Sequence, residues 1–556
     1  MKTDDRSRLA LLGIIFVAFV LRIWKLGGIG LHHDPAHYAV RALGWFDFLV
    51  GVGQTTPIVW FGHIPWWANL SFHDHPPLAF LLQHLSFLFF GANTFAALLP
   101  HALADTAATF LLFFFVSKLW GRSEALLAAG LFAVSSFAIW SSRSGYLEGI
   151  EVLFIIVSFG SLSLFLFYED KPKYLWWWGV ATGLALLTKY TAAFLLPAAF
   201  LFLLLARPRV FKTGRFWFAV ALILLLLLPV IIYNFQVYLT RGHFDAAITS
   251  LFGIKTEDFS VLQSRALSGD IFGNLIAVFN TLRSNISWPM FWTFILGGLA
   301  LAIGGPRRKD LQGFVLLNLF FGILLFSLTG VADRFLPILI PFLAIPTAAA
   351  LKIWANKLAA GRIWKYAFVV LVGAVFIGEL AFAVNTNLLT RPKGEFYAKA
   401  RFFDNGFEAL DAFLRENAYG PLPKRRRITK LDETVLRHNV QNREVVLYDE
   451  RIDWFQKIWY FDRYSNYYAV PVIPFQDVLA VLPNDQLTIF DFLKQNGALG
   501  VWVVIAQNAN VVTDRGAGYD ELMDTFMQDL RASGIAPIKE IRDYRGEVVF
   551  LIYHFK

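Results

Sequence analysis

LHHDPAHYAVRALGWFDF (residues 31–48) and GHIPWWANLSFHDHPPLAF (residues 62–80) are polar, aromatic and rich in histidine. They lie within residues 27–80, between one apolar segment and a long series of further apolar segments. Six of the eleven histidines of the chain fall there, at positions 32, 33, 37, 63, 73 and 75. A long loop between apolar segments usually carries function rather than mere connection. These residues therefore predict an active site.

Both aspartates of this loop stand where a helix is expected to begin. Asp34 precedes Pro35, and proline suits the first position of a helix while it holds the residue before it extended. AHYAVRALGWFDFLV (36–50) then predicts an amphipathic helix at the membrane surface, with Asp34 at its positive end. Asp74 precedes HPP (75–77) in the same way. Each aspartate is either only a helix cap or a reactive carboxylate, and two such sites in one loop favour the second interpretation.

Composition identifies the broad class of protein. The chain has 556 residues, of which 57% are hydrophobic and 16% charged, and its mean hydropathy is +0.53. Soluble domains carry about 25% charged residues, so the chain is predicted to be a polytopic membrane protein. It contains no cysteine, which excludes disulfides, thiol catalysis and cysteine metal ligands. The net charge of +9 follows from the loops between the spans and does not indicate nucleic-acid binding.

Apolar runs long enough to cross a bilayer predict roughly eleven transmembrane helices. Clusters of basic residues alternate with loops that contain few lysines or arginines, at residues 118–122, 169–173, 206–215, 305–310 and 352–365. Because basic loops stay on the cytoplasmic side, the N-terminus is predicted to be cytoplasmic. The loop 27–80 and the C-terminus are then extracytoplasmic, in a multi-pass protein of the plasma or inner membrane.

From about residue 387 the composition becomes that of a soluble domain. EALDAFLREN (408–417) and GYDELMDTFMQDLRASG (518–534) predict helices, and VVLYDE (445–450) and GVWVVIAQ (500–507) predict buried strands. EIRDYRGEVVFLIYHF (540–555) predicts a closing hairpin with Arg545-Gly546 in its turn. Two domains are therefore predicted: a transmembrane module of residues 1–390 and an extracytoplasmic α/β domain of residues 391–556.

Ionisable residues recur at the outer ends of the predicted spans, where burying a charge in the bilayer is costly. They are Arg143, Glu148 and Glu151 in one turn, Lys189 in a second, and Asp333 with Arg334 in a third. Snorkelling to the interface would explain any one of them alone. Together they place cations and carboxylates on the same side as Asp34 and Asp74, and arginine and lysine are suited to hold a phosphate.

Five motifs in this order resemble those of the GT-C superfamily of integral-membrane glycosyltransferases, of the protein-mannosyltransferase and aminoarabinose-transferase type. They are HHDPAHYA (32–39), HDHPPLAF (73–80), SRSGYLEGIE (142–151), GLALLTKY (183–190) and DRFLPILIP (333–341). The resemblance implies a polytopic α-helical membrane protein of the GT-C type with a C-terminal extracytoplasmic α/β domain. It also implies an inverting transfer of a sugar from a polyprenyl-phosphate-linked donor to a glycolipid, cell-wall glycan or protein.

The resemblance assigns roles to individual residues. Asp34 matches the catalytic aspartate of the family, a general base that deprotonates or orients the acceptor. The family often has a second acid at the position of Pro35, and His37, His33 or Glu148 is expected to supply the missing polar group. Glu148, paired in its motif with Arg143, is the other candidate for a catalytic carboxylate. The remaining matches are expected to bind substrate, with the cations near the donor phosphate: His33, His37, Tyr38, Asp74, His75, Arg143, Lys189, Asp333 and Arg334.

No cofactor is expected to be required, because relatives with monosaccharide lipid donors commonly work without a metal. A divalent cation such as Zn²⁺ stays a possibility, since histidine and aspartate are suitable ligands. The expected partners are the lipid-linked donor, the acceptor and membrane lipids, without nucleic acid. A transporter or flippase of lipid-linked saccharides is the alternative. It predicts charges near the middle of the bilayer and pseudo-symmetric halves, whereas the polar residues here lie near the outer ends of the spans.

Overall fold

A computed structural model describes residues 3–44, 57–256, 258, 269–304, 309–358, 361–386, 388, 403–428, 440–479, 488–508, 511–512 and 517–556. The chain divides into two compact units. The first consists of Met1–Leu26, Leu70–Ser86 and Ala96–Arg401, and the second of Gly27–Asn69, Phe87–Phe95 and Phe402–Lys556. The domain boundary predicted at residue 390 lies outside the described residues and stays a prediction.

The first unit is a bundle of apolar helices. Among the described residues, seven helices are long and apolar enough to cross a membrane, or eight if one bent pair is a single span. The seven are Asp5–Gly28, Thr94–Leu119, Glu148–Phe167, Gly214–Arg241, Asp310–Thr329, Asp333–Leu358 and Arg362–Val384. A span needs about 20 apolar residues at 1.5 Å each. The predicted polytopic helical fold is confirmed, and the count of roughly eleven spans stays a prediction.

Shorter helices complete the bundle. They are Leu78–Phe90, Pro172–Thr188, Leu195–Ala206, Ala246–Leu251, Ile271–Asn285 and Trp288–Gly304, with 3₁₀ turns at Tyr190–Phe194, Pro208–Lys212 and Asp333–Leu339. Leu78–Phe90 has the start predicted from the Pro-Pro motif, and at 13 residues it is short for a span, as predicted. These breaks between helices leave polar backbone and side chains inside an apolar bundle, and the candidate site lies at one of them.

The bent pair is Arg122–Val134 and Ser136–Ser144, whose axes differ by 54°. At the bend, the buried carboxylate of Glu379 accepts hydrogen bonds from the backbone N–H of Ser136 at 2.7 Å and of Ser287 at 2.9 Å. A helix start exposes N–H groups that bilayer lipid cannot satisfy. One carboxylate on the helix Arg362–Val384 therefore serves the starts of two other helices.

The turn after Ser144 positions the next span. Gly145 ends the helix in the left-handed conformation with φ of 83°, and the span Glu148–Phe167 begins three residues later. A Cβ on Gly149 would lie 3.1 Å from Ser142 Cα and 3.4 Å from His101 Cβ. The first turn of the span thus packs closely against the helices that carry Ser142 and His101, and a larger residue than glycine would push them apart by a few tenths of an ångström. This close packing fixes the position of Glu148, which begins the same turn, relative to the neighbouring helices.

The second unit contains a five-stranded sheet in the described residues, with strand order β2-β1-β3-β5-β4. The strands are β1 Glu444–Tyr448, β2 Val472–Pro474, β3 Gly500–Ala506, β4 Lys539–Arg542 and β5 Val548–Phe555. β1 pairs in parallel with β2 and β3, while β5 is antiparallel to β3 and β4. Every residue of β3 is buried, as a continuous apolar run predicts for a central strand.

Helices cover the sheet. The longer ones are Phe407–Asn417, Trp454–Lys457 continued by a π-helix Ile458–Asp462 and by Arg463–Tyr468, Thr488–Gln495 and Ala517–Ala532. The predicted helices, strands and closing hairpin of the C-terminal region are confirmed, with Gly546 at φ of 84° in the hairpin turn. The helix Asp34–Gly44, the short helix Pro57–Phe61 and all but the last residue of the 3₁₀ turn Trp66–Leu70 belong to this unit as well.

Candidate active site

The helix Asp34–Gly44 begins at the aspartate that the sequence selects as catalytic. Pro35 occupies its first turn, and the Tyr38 hydroxyl donates to Asp34 Oδ2 at 3.5 Å. Asp34 is partly exposed, while His37 is buried. The predicted helix start is therefore confirmed. The predicted continuation through residues 45–50 lies outside the described residues.

The residue before this helix, His33, has a left-handed backbone with φ of 54°. Few non-glycine residues adopt this conformation, and histidine is among those enriched in it. Its carbonyl accepts a hydrogen bond from Ala36 N at 3.1 Å, and its ring meets Phe455 edge-on at 6.1 Å. A residue in a sparsely populated conformation persists only where its surroundings hold it, and such residues cluster at functional sites. The hydrogen bond to Ala36 and the contact with Phe455 thus fix the direction in which the chain enters the helix that begins at Asp34.

In the first unit, Glu148 and Glu151 share the face of their helix that is turned toward Lys189, as their spacing predicts. The Lys189 ammonium donates to Glu148 Oε1, and the Thr191 hydroxyl donates to Glu151 Oε1 at 2.6 Å. Both glutamates are fully buried, and in the described part of the chain Oε2 of each has no hydrogen-bond partner. Ionisable groups inside an apolar bundle indicate a functional site.

Lys189 lies at a break in the backbone. The helix Pro172–Thr188 ends there, and Lys189 is extended with φ of −160° and ψ of 142° before the 3₁₀ turn. Its Nζ lies 4.5 Å from the centre of the Phe335 ring, and Arg334 Cζ lies 5.1 Å from the same ring. An aromatic face attracts cations. Two cations predicted to contact phosphate, Lys189 and Arg334, are therefore brought to one ring, with Asp333 exposed beside them.

Asp245, which sequence reasoning missed, binds Tyr190, the first residue of the 3₁₀ turn. Its Oδ2 accepts from the Tyr190 hydroxyl at 2.6 Å and from Asn234 Nδ2 at 2.9 Å. Its Oδ1 caps the helix Ala246–Leu251 by accepting from Ile248 N at 2.9 Å. Residues 189–191 thus bind three carboxylates, two from the first turn of the span Glu148–Phe167 and one from Asp245. Asp245 could have been selected from the sequence as a charged residue just beyond a predicted span, which is the reason Lys189 was selected.

Asp74 and His75 lie in a loop tied to the Asp245 helix. Ala246 N donates to the carbonyl of His73 at 2.6 Å, and Asp74 Oδ2 lies 4.0 Å from His75 Nε2. Burial raises the pKa of Asp245, and the negative charge of Asp74 raises it further. Both Asp74 and His75 are partly exposed, at 18% and 15% of their side chains. They remain accessible to a substrate in a way that Asp245 is not.

Arg143 has a different environment from the other predicted phosphate contacts. It is fully buried and donates to the main-chain carbonyls of Leu21 at 3.1 Å and Arg22 at 3.3 Å. Arg22 in turn forms a buried ion pair with Asp105. These partners lie on the first span and on Thr94–Leu119, so Arg143 joins a second polar cluster of the bundle.

The predicted site residues therefore fall into three groups. In the first unit, Lys189 and Arg334 lie at the Phe335 ring, Glu148 is paired with Lys189, and Asp333 is exposed beside Arg334. Asp74 and His75 are linked to the same turn through Asp245, and Arg143 lies in its own cluster. The second unit contains His33, Asp34, His37 and Tyr38. Within the described ranges, no three histidines, aspartates or glutamates lie together as metal ligands.

Comparison with known proteins gives a partial sequence match and a full-length structural match. Residues 74–233 match the family model of the dolichyl-phosphate-mannose-protein mannosyltransferases. An uncharacterized protein of Aquifex aeolicus is 31% identical over 186 residues, which are 33% of this chain and 39% of that protein. A Bacillus subtilis protein named as a candidate mannosyltransferase, YkcB, is 27% identical over 144 residues, or 25% of this chain and 19% of that protein. The chain thus matches less than half the length of either relative.

ArnT from Cupriavidus metallidurans has a similar structure. Its apo form superposes with a TM-score of 0.53 at 12% identity, covering 100% of this chain and 98% of that one. Its form bound to undecaprenyl phosphate gives a TM-score of 0.51 at 14% identity, covering 99% and 98%. At these identities the likeness establishes the fold. The resemblance to the GT-C glycosyltransferases that the motifs indicated is confirmed by the family model and this fold together.

Proposed function

We propose, for a chain with this resemblance, that the protein is an inverting membrane glycosyltransferase. It would move a sugar from a polyprenyl-phosphate-linked donor to a glycolipid, cell-wall glycan or protein at the outer face of the plasma or inner membrane. The N-terminus would be cytoplasmic and the C-terminal domain extracytoplasmic, in line with the distribution of basic loops. The observation that carries the proposal is the buried Lys189–Glu148 pair, set beside Arg334 at the Phe335 ring.

This cluster has the chemistry that a lipid-linked donor requires. When the sugar is transferred, the bond between its anomeric carbon and the lipid phosphate breaks, and the phosphate is the leaving group. Preorganised cations stabilise the negative charge that develops on it. Lys189 offers a compact ammonium, and Arg334 a planar guanidinium suited to phosphate oxygens. The ArnT structure bound to undecaprenyl phosphate supports a ligand of this class. Asp74 and His75, as the partly exposed residues linked through Asp245, are assigned to the same substrate.

Asp34 is assigned as the general base. Its side chain is partly exposed at a helix start, where its oxygens can accept the proton of an acceptor hydroxyl. Attack on the face opposite to the departing phosphate inverts the anomeric carbon. Tyr38, which donates to Asp34, and His33 and His37 beside it are assigned to substrate binding. No step of this scheme requires a metal ion.

The test is turnover by the purified protein in lipid nanodiscs, supplied with a panel of polyprenyl-phosphate sugars and with membrane glycolipid extract as acceptor. Release of polyprenyl phosphate is measured. Asp34→Asn keeps the size and capping ability of the residue but removes the base, so we expect a loss of roughly 10²- to 10⁴-fold. Asp491→Asn, at an exposed helix position in the C-terminal domain, is the matched control and should remain active.

Two results contradict the proposal in different ways. If no donor of the panel is consumed while a lipid-linked saccharide crosses the bilayer of proteoliposomes, the protein is a flippase. If a donor is consumed and Asp34→Asn retains turnover within about threefold of wild type, well short of the usual loss of a general base, Asp34 is only a helix cap. Glu148 would then be the next candidate.

A further inference from the structure

The segment that carries Asp34 is attached to the C-terminal part of the chain by its main chain. The Tyr460 hydroxyl accepts a hydrogen bond from Leu31 N at 2.8 Å and donates its own hydrogen to Glu408 Oε1 at 2.6 Å. Gly30 has φ of 74°, and a Cβ there would lie 3.2 Å from the Tyr460 hydroxyl. The chain passes Tyr460 so closely that only glycine fits without strain. The backbone three residues before Asp34 is therefore held from one side.

His32 makes the second attachment. Its Nδ1 lies 3.2 Å from Asn405 Nδ2 and 3.1 Å from Gln456 Nε2, and its Nε2 lies 3.2 Å from the carbonyl of Ile29. The Ile29 carbonyl can only accept, so Nε2 carries a hydrogen, and in the neutral ring Nδ1 is then the acceptor for the two amide groups. A neutral imidazole satisfies all three contacts. Burial and the nearby His33 agree with this, since they lower the pKa of His32 to about 4.

Aromatic rings make the third attachment. Trp454 meets the ring of His37 edge-on at 5.5 Å, and Phe455 meets His33 at 6.1 Å. These two residues begin the short helix whose next residue is Gln456. Each histidine around Asp34, at positions 32, 33 and 37, is thus held by one of three consecutive residues, Trp454, Phe455 and Gln456. The left-handed backbone of His33 lies between the two hydrogen-bonded anchors and the Asp34 helix.

We propose that the 454–460 segment of the C-terminal domain positions Asp34 for catalysis, with His32, Gln456 and Tyr460 as the positioning residues. This rests on the proposed function of Asp34 and gives the C-terminal domain a role in the reaction. The segment contacts no reacting atom. It fixes the backbone before Asp34 and so determines the orientation of the Asp34 side chain. A misplacement of about 1 Å far from the reacting atoms costs up to about 10²-fold in rate, so loss of these contacts is expected to lower kcat.

The test compares His32→Phe, His32→Asn and His554→Phe. Phenylalanine keeps the ring but removes both hydrogen-bonding nitrogens, whereas the asparagine oxygen takes the place of Nδ1 as an acceptor. His554 lies in the sheet of the same unit, stacks on Trp502 at 4.0 Å and lies 3.2 Å from Glu444, so its substitution controls for damage to the domain. We measure kcat and KM for the donor that wild type consumes, the thermal midpoint, and hydrogen exchange of residues 31–38.

We expect His32→Phe to lower kcat by roughly 10- to 100-fold with the donor KM within about threefold, at a thermal midpoint equal to that of His554→Phe. His32→Asn should recover most of this loss. A fall in kcat no larger in His32→Phe than in His554→Phe overturns the proposal. Hydrogen exchange gives a readout that is independent of turnover. If residues 31–38 exchange no faster in His32→Phe than in His554→Phe, the segment is not held by these contacts, even where the proposed function itself has failed.

Discussion

Replacing Glu148 by glutamine tests two roles of its carboxylate: competition with the donor phosphate for Lys189, and direct action in the reaction. In the present arrangement the Lys189 ammonium is bound by Glu148 Oε1, so a donor phosphate must compete with this carboxylate for the lysine. Glutamine keeps the shape and an acceptor oxygen but removes the competing charge. The lysine stays charged in the variant, so both bonds fall in the range of about 1.5–3 kcal/mol for hydrogen bonds to charged groups, with the doubly charged pair near the upper end and the ammonium–amide bond near the lower. The difference of about 1–1.5 kcal/mol predicts that polyprenyl phosphate binds the variant roughly 5- to 10-fold more tightly.

The assay is the dissociation constant of a fluorescent polyprenyl phosphate, measured by anisotropy on protein in nanodiscs. Glu151→Gln is the matched control: it lies three residues away on the same face, but its Oε1 accepts from the Thr191 hydroxyl instead of a lysine. We expect no tightening there. Turnover of Glu148→Gln should fall despite tighter binding, if the carboxylate also acts in the reaction. Weaker or unchanged phosphate binding in Glu148→Gln, with Glu151→Gln giving the same constant, would refute competition for Lys189.

Three further predictions follow from the same residues. Lys189→Ala, Arg334→Ala and His75→Ala should each weaken donor binding by roughly 10-fold or more through loss of a charge-assisted hydrogen bond, with Asp491→Asn as unaffected control; three unchanged dissociation constants would remove the phosphate assignment. Single cysteines at positions 34 and 74 on the cysteine-free chain should react with an impermeant maleimide only from the extracytoplasmic side, and labelling of position 34 only from inside would reverse the topology. The pKa of His32 is lowered to about 4 from 6.5, so on acidification the unfolded chain binds a proton at His32 before the folded chain does; the contribution of His32 to stability is full above about pH 6.5 and falls toward pH 4. The thermal midpoint of His32→Asn should fall less over that pH range. Equal falls of the midpoint in wild type and variant would contradict the neutral imidazole.

Local signals in the sequence were sufficient for much of the fold. The Asp34-Pro35 pair was enough to predict the start of a helix, because proline restricts its own φ and the conformation of the residue before it. The apolar run 501–506 gave a buried central strand, and Arg545-Gly546 gave a hairpin turn, since each rests on a few neighbouring residues. The charged residues near Lys189 were found for a similar reason, because a charge within an apolar run stands out.

Partners distant in the sequence could not be found in this way. His32 bonds to Asn405 and Gln456, which are 373 and 424 residues further along the chain. No periodicity relates them, and all three are common polar residues. Asp245 follows a predicted span as Lys189 does, but the hydrogen bond it accepts from the Tyr190 hydroxyl, 55 residues away in the chain, cannot be found from the sequence. Arg143 was expected to contact phosphate from its charge and position alone, while its contacts with the carbonyls of Leu21 and Arg22 depend on how the helices pack.

Glu379 has a consequence for the order in which the protein can be completed during synthesis. The ribosome delivers Ser136 and Ser287 to the membrane 243 and 92 residues before the carboxylate that both N–H groups require. Until the helix Arg362–Val384 enters, two helix starts lack their acceptor in a medium that offers no substitute. A nascent chain that stops before residue 379 therefore lacks the carboxylate that accepts from both N–H groups, and two helix starts far apart in the sequence are left incomplete together. Among the described residues, both starts depend on the long apolar helix that comes last in the chain.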